Sequence, residues 1–334
     1  MLNSKLKLNQ NLFTKDVDLK SSRDGFGEGL VEAASKNDNI VALAADLANS
    51  VKLGEFIKKY PKRFIQTGIA EQNMCSMAFG LSSTGKIPFV VSHAVFLTSR
   101  AWDQIKLSIC STNSNVKIVG SHAGFSNGPD GLSAEPLEDI ALMRVLPNMV
   151  VINTIDYEQT KKATEEIAKY KGPVYLRFSK AETPNITTKE TPFKIGKADI
   201  LVEGHDVTII SCGPITYDAL VAAKNLRAKY KIEAEVISSP TIKPLDEDTI
   251  LKSVKKTNLV VTVEEHQIIG GLGGTISELL SEKLPTKVLR IGVNDTFGES
   301  GTYEELKDKY GISSHHIEEK VLKLLKENKK EIIN

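Results

Sequence analysis

Continuous apolar runs recur along the chain, separated by segments of helical period. Residues 40–46 read IVALAAD, an unbroken apolar stretch rather than an alternating one, which predicts a strand buried on both faces. The theme returns at 87–93 (IPFVVSH), 116–122 (VKIVGSH), 149–153 (MVVIN) and 174–178 (VYLRF). Helical patterns fill 71–83, 97–112 and 157–171. Ser22 stands where it would cap a helix reaching Ala34, with Phe26, Leu30, Ala33 and Ala34 on one side. Strand–helix alternation of this kind predicts a parallel sheet with helices on both faces.

The alternation lapses after Lys180 into a stretch rich in Thr, Pro and Lys, a linker composition. It resumes with VTIISCG (207–213), a helix over 216–230, EAEVISS (233–239), NLVVTVEEH (258–266) and KVLRIGV (287–293). A charged amphipathic helix around 317–328 ends the pattern. The expectation is two doubly wound α/β domains: a lead-in over 1–19, a first domain over 20–185, a linker over 186–197 and a second domain over 198–334. No short repeat suggests a solenoid.

Composition narrows the function classes. The chain has 334 residues, 41% hydrophobic and 25% charged, enough for substantial cores. A formal charge of +1 gives no electrostatic case for nucleic acid or an anionic membrane. Cys75, Cys110 and Cys212 match no disulfide or metal spacing and read as buried packing. The start, MLNSKLKLNQ, does not read as a signal peptide, and no apolar run approaches the roughly 20 residues of a membrane span. A cytoplasmic, soluble protein is expected.

In open α/β sheets, working residues gather beyond the C-terminal ends of the strands. That rule singles out Asp46, 67–71, 93–96 and 122–130, all in the first domain. Glu71 follows Gly68-Ile69-Ala70 and opens a helix of small and apolar residues. Alone, it would be explained as an acid complementing the helix dipole. It is followed, however, by a strand, an aromatic residue and Arg-Ala-Trp-Asp-Gln (100–104). Together these segments resemble the pyrimidine-binding domain of transketolases and of the related deoxyxylulose-phosphate synthases. The resemblance runs from about residue 20 through the second domain.

What the resemblance implies is specific. The cofactor would be thiamine diphosphate, with Glu71 as the catalytic residue hydrogen-bonding N1′ of its aminopyrimidine. Phe96 would stack on that ring, and Asp46, Leu47 and Ile69 would line the cofactor. His93 departs from the family, which usually has another aromatic there; an imidazole can still stack. Arg23, Ser50 and His122 match residues that grip a sugar phosphate, and Asp130 matches one that reads a sugar hydroxyl. Lys180 stands where the family generally has a phosphate-binding arginine, keeping the charge but losing the bidentate fork. Ala134 replaces a histidine or glutamine, which implies either a substrate other than ordinary pentose phosphates or a partner chain that supplies the missing group.

The family's other half holds Mg²⁺ and the diphosphate through a Gly-Asp-Gly segment and a later asparagine, and no such segment occurs here. Gly128-Pro129-Asp130-Gly131 belongs to the substrate loop. Gly270-Gly271-Leu272-Gly273-Gly274 reads as a structural turn, and the preceding Glu264, Glu265 and His266 lack metal-ligand spacing. The resemblance therefore implies a transketolase-type subunit whose partner chain carries the diphosphate and Mg²⁺, two such pairs making a heterotetramer. Its reaction would move a two-carbon ketol unit between sugar phosphates. A 2-oxo-acid dehydrogenase beta subunit shares the two-domain plan and is the nearest alternative. A non-catalytic regulatory subunit is the other, favoured by Ala134 and His93 and opposed by Glu71 and Phe96.

Overall fold

The computed structural model describes residues 2–333, with side chains described through 328. Two main sheets form. The first runs in the order Thr241–Lys243, Val150–Asn153, Val174–Arg177, Lys117–Ser121, Ile87–His93, Ile40–Ala44, Phe64–Gln66. Every pairing in it is parallel except that of Thr241–Lys243. The second runs Val288–Val293, Val260–Gln267, Val207–Ser211, Ala234–Ser238, Asp199–Val202, parallel except for the last strand. The continuous apolar runs are the central strands, as burial on both faces requires.

Some boundaries differ from the sequence pattern. The first helix spans Ser22–Lys36, so Ser21 rather than Ser22 is its N-cap residue, and the Ser22 hydroxyl is buried without a partner. The segment expected as one helix over 97–112 starts earlier and is broken: Ala94–Arg100, Trp102–Gln104, then a π-helical stretch Ile105–Cys110. The last helix begins at Ser314, not 317. Thr241–Lys243 was not legible as a strand, because three residues have no measurable period, yet it edges the first sheet although it follows the second sheet's Ala234–Ser238.

Two packing features position the site. One apolar cluster is continuous from Met74, Cys75 and Ala78, under the helix Glu71–Ser83, to Ile210, Cys212 and Ile237 of the second sheet. The other face of the second sheet buries Leu8 and Leu12 of the lead-in, which also bonds the sheet through Asn3 N–H to the Leu201 carbonyl at 2.8 Å. The two sheets are thus held as one packed body, with the strand ends of the first sheet against the second. None of the described helices is long and apolar enough to cross a membrane.

Candidate active site at the strand ends of the first sheet

Glu71 is the first residue of the helix Glu71–Ser83 and only 4% exposed. A buried carboxylate is costly unless donors reach it. Among the described residues its hydrogen-bonding partner is Arg100, whose Nη1 lies 3.3 and 3.4 Å from the two oxygens. That guanidinium also lies over the Phe96 ring, 4.3 Å from its centroid. Arg100 and Phe96 stand four apart on the helix Ala94–Arg100, one turn. The carboxylate is acceptor-only, and these long contacts leave lone pairs for a further N–H. A flat, N–H-bearing cation therefore already stacks on Phe96 while donating to Glu71. An aminopyrimidine offers the same two features, so the donor and stacking set fits thiamine diphosphate's ring.

A second group begins where the strand Ile87–His93 ends. His93 is stacked on His122, with centroids 3.6 Å apart, and more loosely on Phe96, at 5.6 Å. Ser50 Oγ lies 3.2 Å from Nε2 of both histidines. Arg23 donates to the Ser50 carbonyl at 3.0 Å and to Ser21 Oγ at 3.3 Å, and that serine in turn donates to the Lys180 carbonyl at 3.0 Å. Lys180 Nζ donates to Asn127 Oδ1 at 2.7 Å. Burial, with the charges of Arg23 and Lys180, pushes His93 down to about 4 and His122 to about 2, so both rings are neutral near pH 7.

The structure thus brings Arg23, Ser50, His93, His122 and Lys180 into one hydrogen-bonded string, with Phe96 and Glu71 joined to it through ring contacts and Arg100. The remaining residues stand less centrally. Asp46, exposed, follows the strand Ile40–Ala44 in the left-handed region (φ 59°), its N–H donating to Gln66 Oε1 at 2.8 Å. His122 shares that conformation at φ 60°, and non-glycine residues held there cluster at functional sites. Leu47 is half-buried against the core beneath the sheet, while Ile69 is 73% exposed on the turn before Glu71. Asp130 is exposed, and its charge acts on His93. Ala134 is buried in the one-turn helix Leu132–Ala134. Sequence reasoning assigned no role to Arg100, Ser21 or Asn127. The four-residue spacing from Phe96 was a signal for Arg100; nothing local marks the other two.

The loop Gly124–Asp130 is anchored by the second domain. Glu265 accepts from the Phe125 N–H at 2.5 Å and the Tyr303 hydroxyl at 2.9 Å. Gly124 lies at φ 61° against that carboxylate, which a Cβ would strike. Glu264 accepts from the N–H groups of Leu272 and Gly273 at 2.6 and 2.8 Å, so the glycine-rich turn is capped by the protein's own carboxylate. Among the described residues, one His/Asp cluster has ligand-like spacing, Asp308 with His315 and His316, on the surface.

Glu135, beside Ala134, has both carboxylate oxygens buried and unpartnered. Burial first, then the charges of Glu265 and Glu299, raises it to about 7. A carboxyl held above its ordinary value keeps its proton in the folded state longer than in the unfolded one. Its burial is therefore tolerated at low pH, and stability falls as pH rises from about 4.5 through about 7. Glu135→Gln is expected to raise the melting temperature by a few degrees at pH 8 and hardly at all at pH 5. An equal gain at both pH values would refute the buried-carboxylate account.

Comparisons with known proteins follow this geometry. The family described as "Transketolase, pyrimidine binding domain" matches residues 19–185, and "Transketolase, C-terminal domain" matches 196–317. A Methanocaldococcus jannaschii protein, provisionally named a transketolase C-terminal section, is 46% identical over 92% of this chain and 97% of its own. The 6-deoxy-6-sulfo-D-fructose transketolase subunit SqwH of Clostridium sp. (strain MSTE9) is 41% identical over 88% of this chain and 91% of its own. A solved structure described as a split gene transketolase, inactive beta4 tetramer, superposes with TM-score 0.85 at 43% identity, covering 92% of this chain and 98% of that one.

Proposed function

The chain belongs to the transketolase family, and we propose that it is the glutamate-bearing subunit of a two-chain, thiamine-diphosphate-dependent transketolase. The observation that carries this reading is the buried Glu71 carboxylate, linked through Arg100 to the half-buried Phe96 ring. The subunit status is supported by relatives of matching length that bear the names of sections, subunits and split-gene products.

Bound thiamine diphosphate supplies the carbanion chemistry of ketol transfer. This chain's own residues orient its pyrimidine and manage one proton. Phe96 provides an aromatic face, and Glu71 holds a proton at the ring nitrogen it faces. Asp46 and Leu47, after the strand Ile40–Ala44, and Ile69, before Glu71, are assigned to line the cofactor. Toward the substrate, Arg23 and Lys180 offer cationic N–H groups to a phosphate, with Ser50 and His122 between them, while Asp130 faces a sugar hydroxyl. Methyl at Ala134 removes a hydrogen-bonding group from the loop, which points to an acceptor or donor other than the common pentose phosphates. The diphosphate and Mg²⁺ are assigned to the partner, with two pairs forming a heterotetramer.

The test is ketol transfer from xylulose 5-phosphate to ribose 5-phosphate, with thiamine diphosphate and Mg²⁺. The chain is assayed alone and with a partner bearing the Gly-Asp-Gly segment. Activity is expected in the complex and not in the lone chain. Activity of the lone chain would overturn the two-subunit reading. An inactive complex that binds thiamine diphosphate would move the question to other sugar phosphates.

A further inference from the structure

His93 stands where the family usually has a stacking aromatic, but its contacts point to another role. The strands Ile87–His93 and Lys117–Ser121 run side by side with His93 opposite Ser121. His122, one residue further, therefore lies against the His93 ring, with centroids 3.6 Å apart and planes 25° apart. Phe96, at 5.6 Å, is the more distant neighbour. Both histidine Nε2 atoms sit 3.2 Å from one hydroxyl, Ser50 Oγ. A hydroxyl has a single hydrogen to donate, so with both bonds made it gives it to one ring and accepts N–H from the other. The two imidazoles are thereby placed in complementary tautomers. His122 Nδ1 is engaged by Ser121 Oγ at 2.8 Å, whereas His93 Nδ1 has no hydrogen-bond partner among the described residues.

The charges around this pair are two cations, Arg23 and Lys180, and one anion, Asp130. Arg23 holds the backbone of Ser50, and Lys180 reaches in from beside Asn127. Among the described residues, these three are the charged groups acting on His93, and His93 in turn acts on His122. We propose that His93 is a specificity-determining residue at the anion end of the substrate site. Its imidazole edge hydrogen-bonds the phosphorylated end of a sugar beside Ser50 and His122, instead of serving as a stacking wall for the cofactor ring. A phenyl group would fill the same space but give the phosphate no partner. The proposal rests on the reading of the chain as a transketolase-type subunit with sugar-phosphate substrates.

His93→Phe separates the two roles, because it keeps a ring and removes both nitrogens. In the assembled two-chain enzyme, its KM for xylulose 5-phosphate is expected to rise about tenfold, the scale of one lost hydrogen bond. The affinity for thiamine diphosphate, followed by fluorescence quenching, is expected to stay within about twofold. An unchanged KM with weakened cofactor affinity would overturn the proposal in favour of cofactor stacking, and no change in either would also overturn it. A second measurement uses the wild-type full chain alone: inorganic phosphate is titrated while the imidazole nitrogen resonances are followed by NMR. Shifts at both His93 and His122 are expected, and a silent His93 would overturn the proposal. If phosphate moves both rings but the complex transfers no ketol unit, the activity reading fails while the anion site stands.

Discussion

Glu71→Ala is expected to lower ketol transfer by the assembled enzyme by about 10²–10⁴-fold, the range associated with removing a positioned acid–base group. The fold should register the change far less. Glu71 complements its helix dipole in the first turn, a contribution of about 0.3–1 kcal/mol. Its partner Arg100 has a side chain 49% exposed, so losing the carboxylate leaves that cation in contact with water rather than stranded. The catalytic effect is thus several times the structural one in free-energy terms, and a large activity loss with little change in melting temperature is the discriminating result. Glu71→Gln sharpens the test, since it retains an acceptor oxygen but not the exchangeable proton. An activity loss below tenfold in either variant, with the complex intact, would remove Glu71 from the reaction.

How much of this site the sequence disclosed follows from the range over which each feature is encoded. The strands Ile40–Ala44 and Ile87–His93 were legible because burial on both faces writes a continuous apolar run into adjacent residues. Glu71 was legible because its helix start and the aromatic segment following it form a local motif. Arg100 was half-legible: its motif was visible, but its role required seeing that one helical turn places it over Phe96. His93 was read as a weakened aromatic because its decisive neighbour comes from a different strand, and strand order is not written in either segment. Non-local geometry also hid the roles of Leu8 and Leu12, whose lead-in looks merely polar yet completes the second core. The short edge strand Thr241–Lys243 escaped because three residues carry no measurable period. Local chemistry was readable, whereas the order in which distant segments meet was not.

The largest stability effect is expected at Arg177, at the end of the strand Val174–Arg177. Arg177 and Asp139 are paired at 2.7 Å, each side chain 1% exposed. Tyr175 donates to the same Asp139 oxygen at 2.6 Å, and Arg177 also donates to the carbonyls of Pro136 and Glu265 at 3.2 and 3.0 Å. One guanidinium thus ties a strand of the first sheet to the loop after Ala134 and to the second domain. Arg177→Met would remove the cation and leave Asp139 charged in an apolar interior, which costs about 3–5 kcal/mol when one member of a buried pair is lost. For a chain this size, that is a fall in melting temperature on the order of 10 °C. Arg177→Lys should recover only part, because a point charge cannot reach a carboxylate and two carbonyls with the fork's geometry. The double variant Arg177→Met, Asp139→Leu should melt above Arg177→Met alone, since no unpaired charge remains. Equal melting of the two variants would mean that the lost ties to Pro136 and Glu265, not the stranded carboxylate, set the cost.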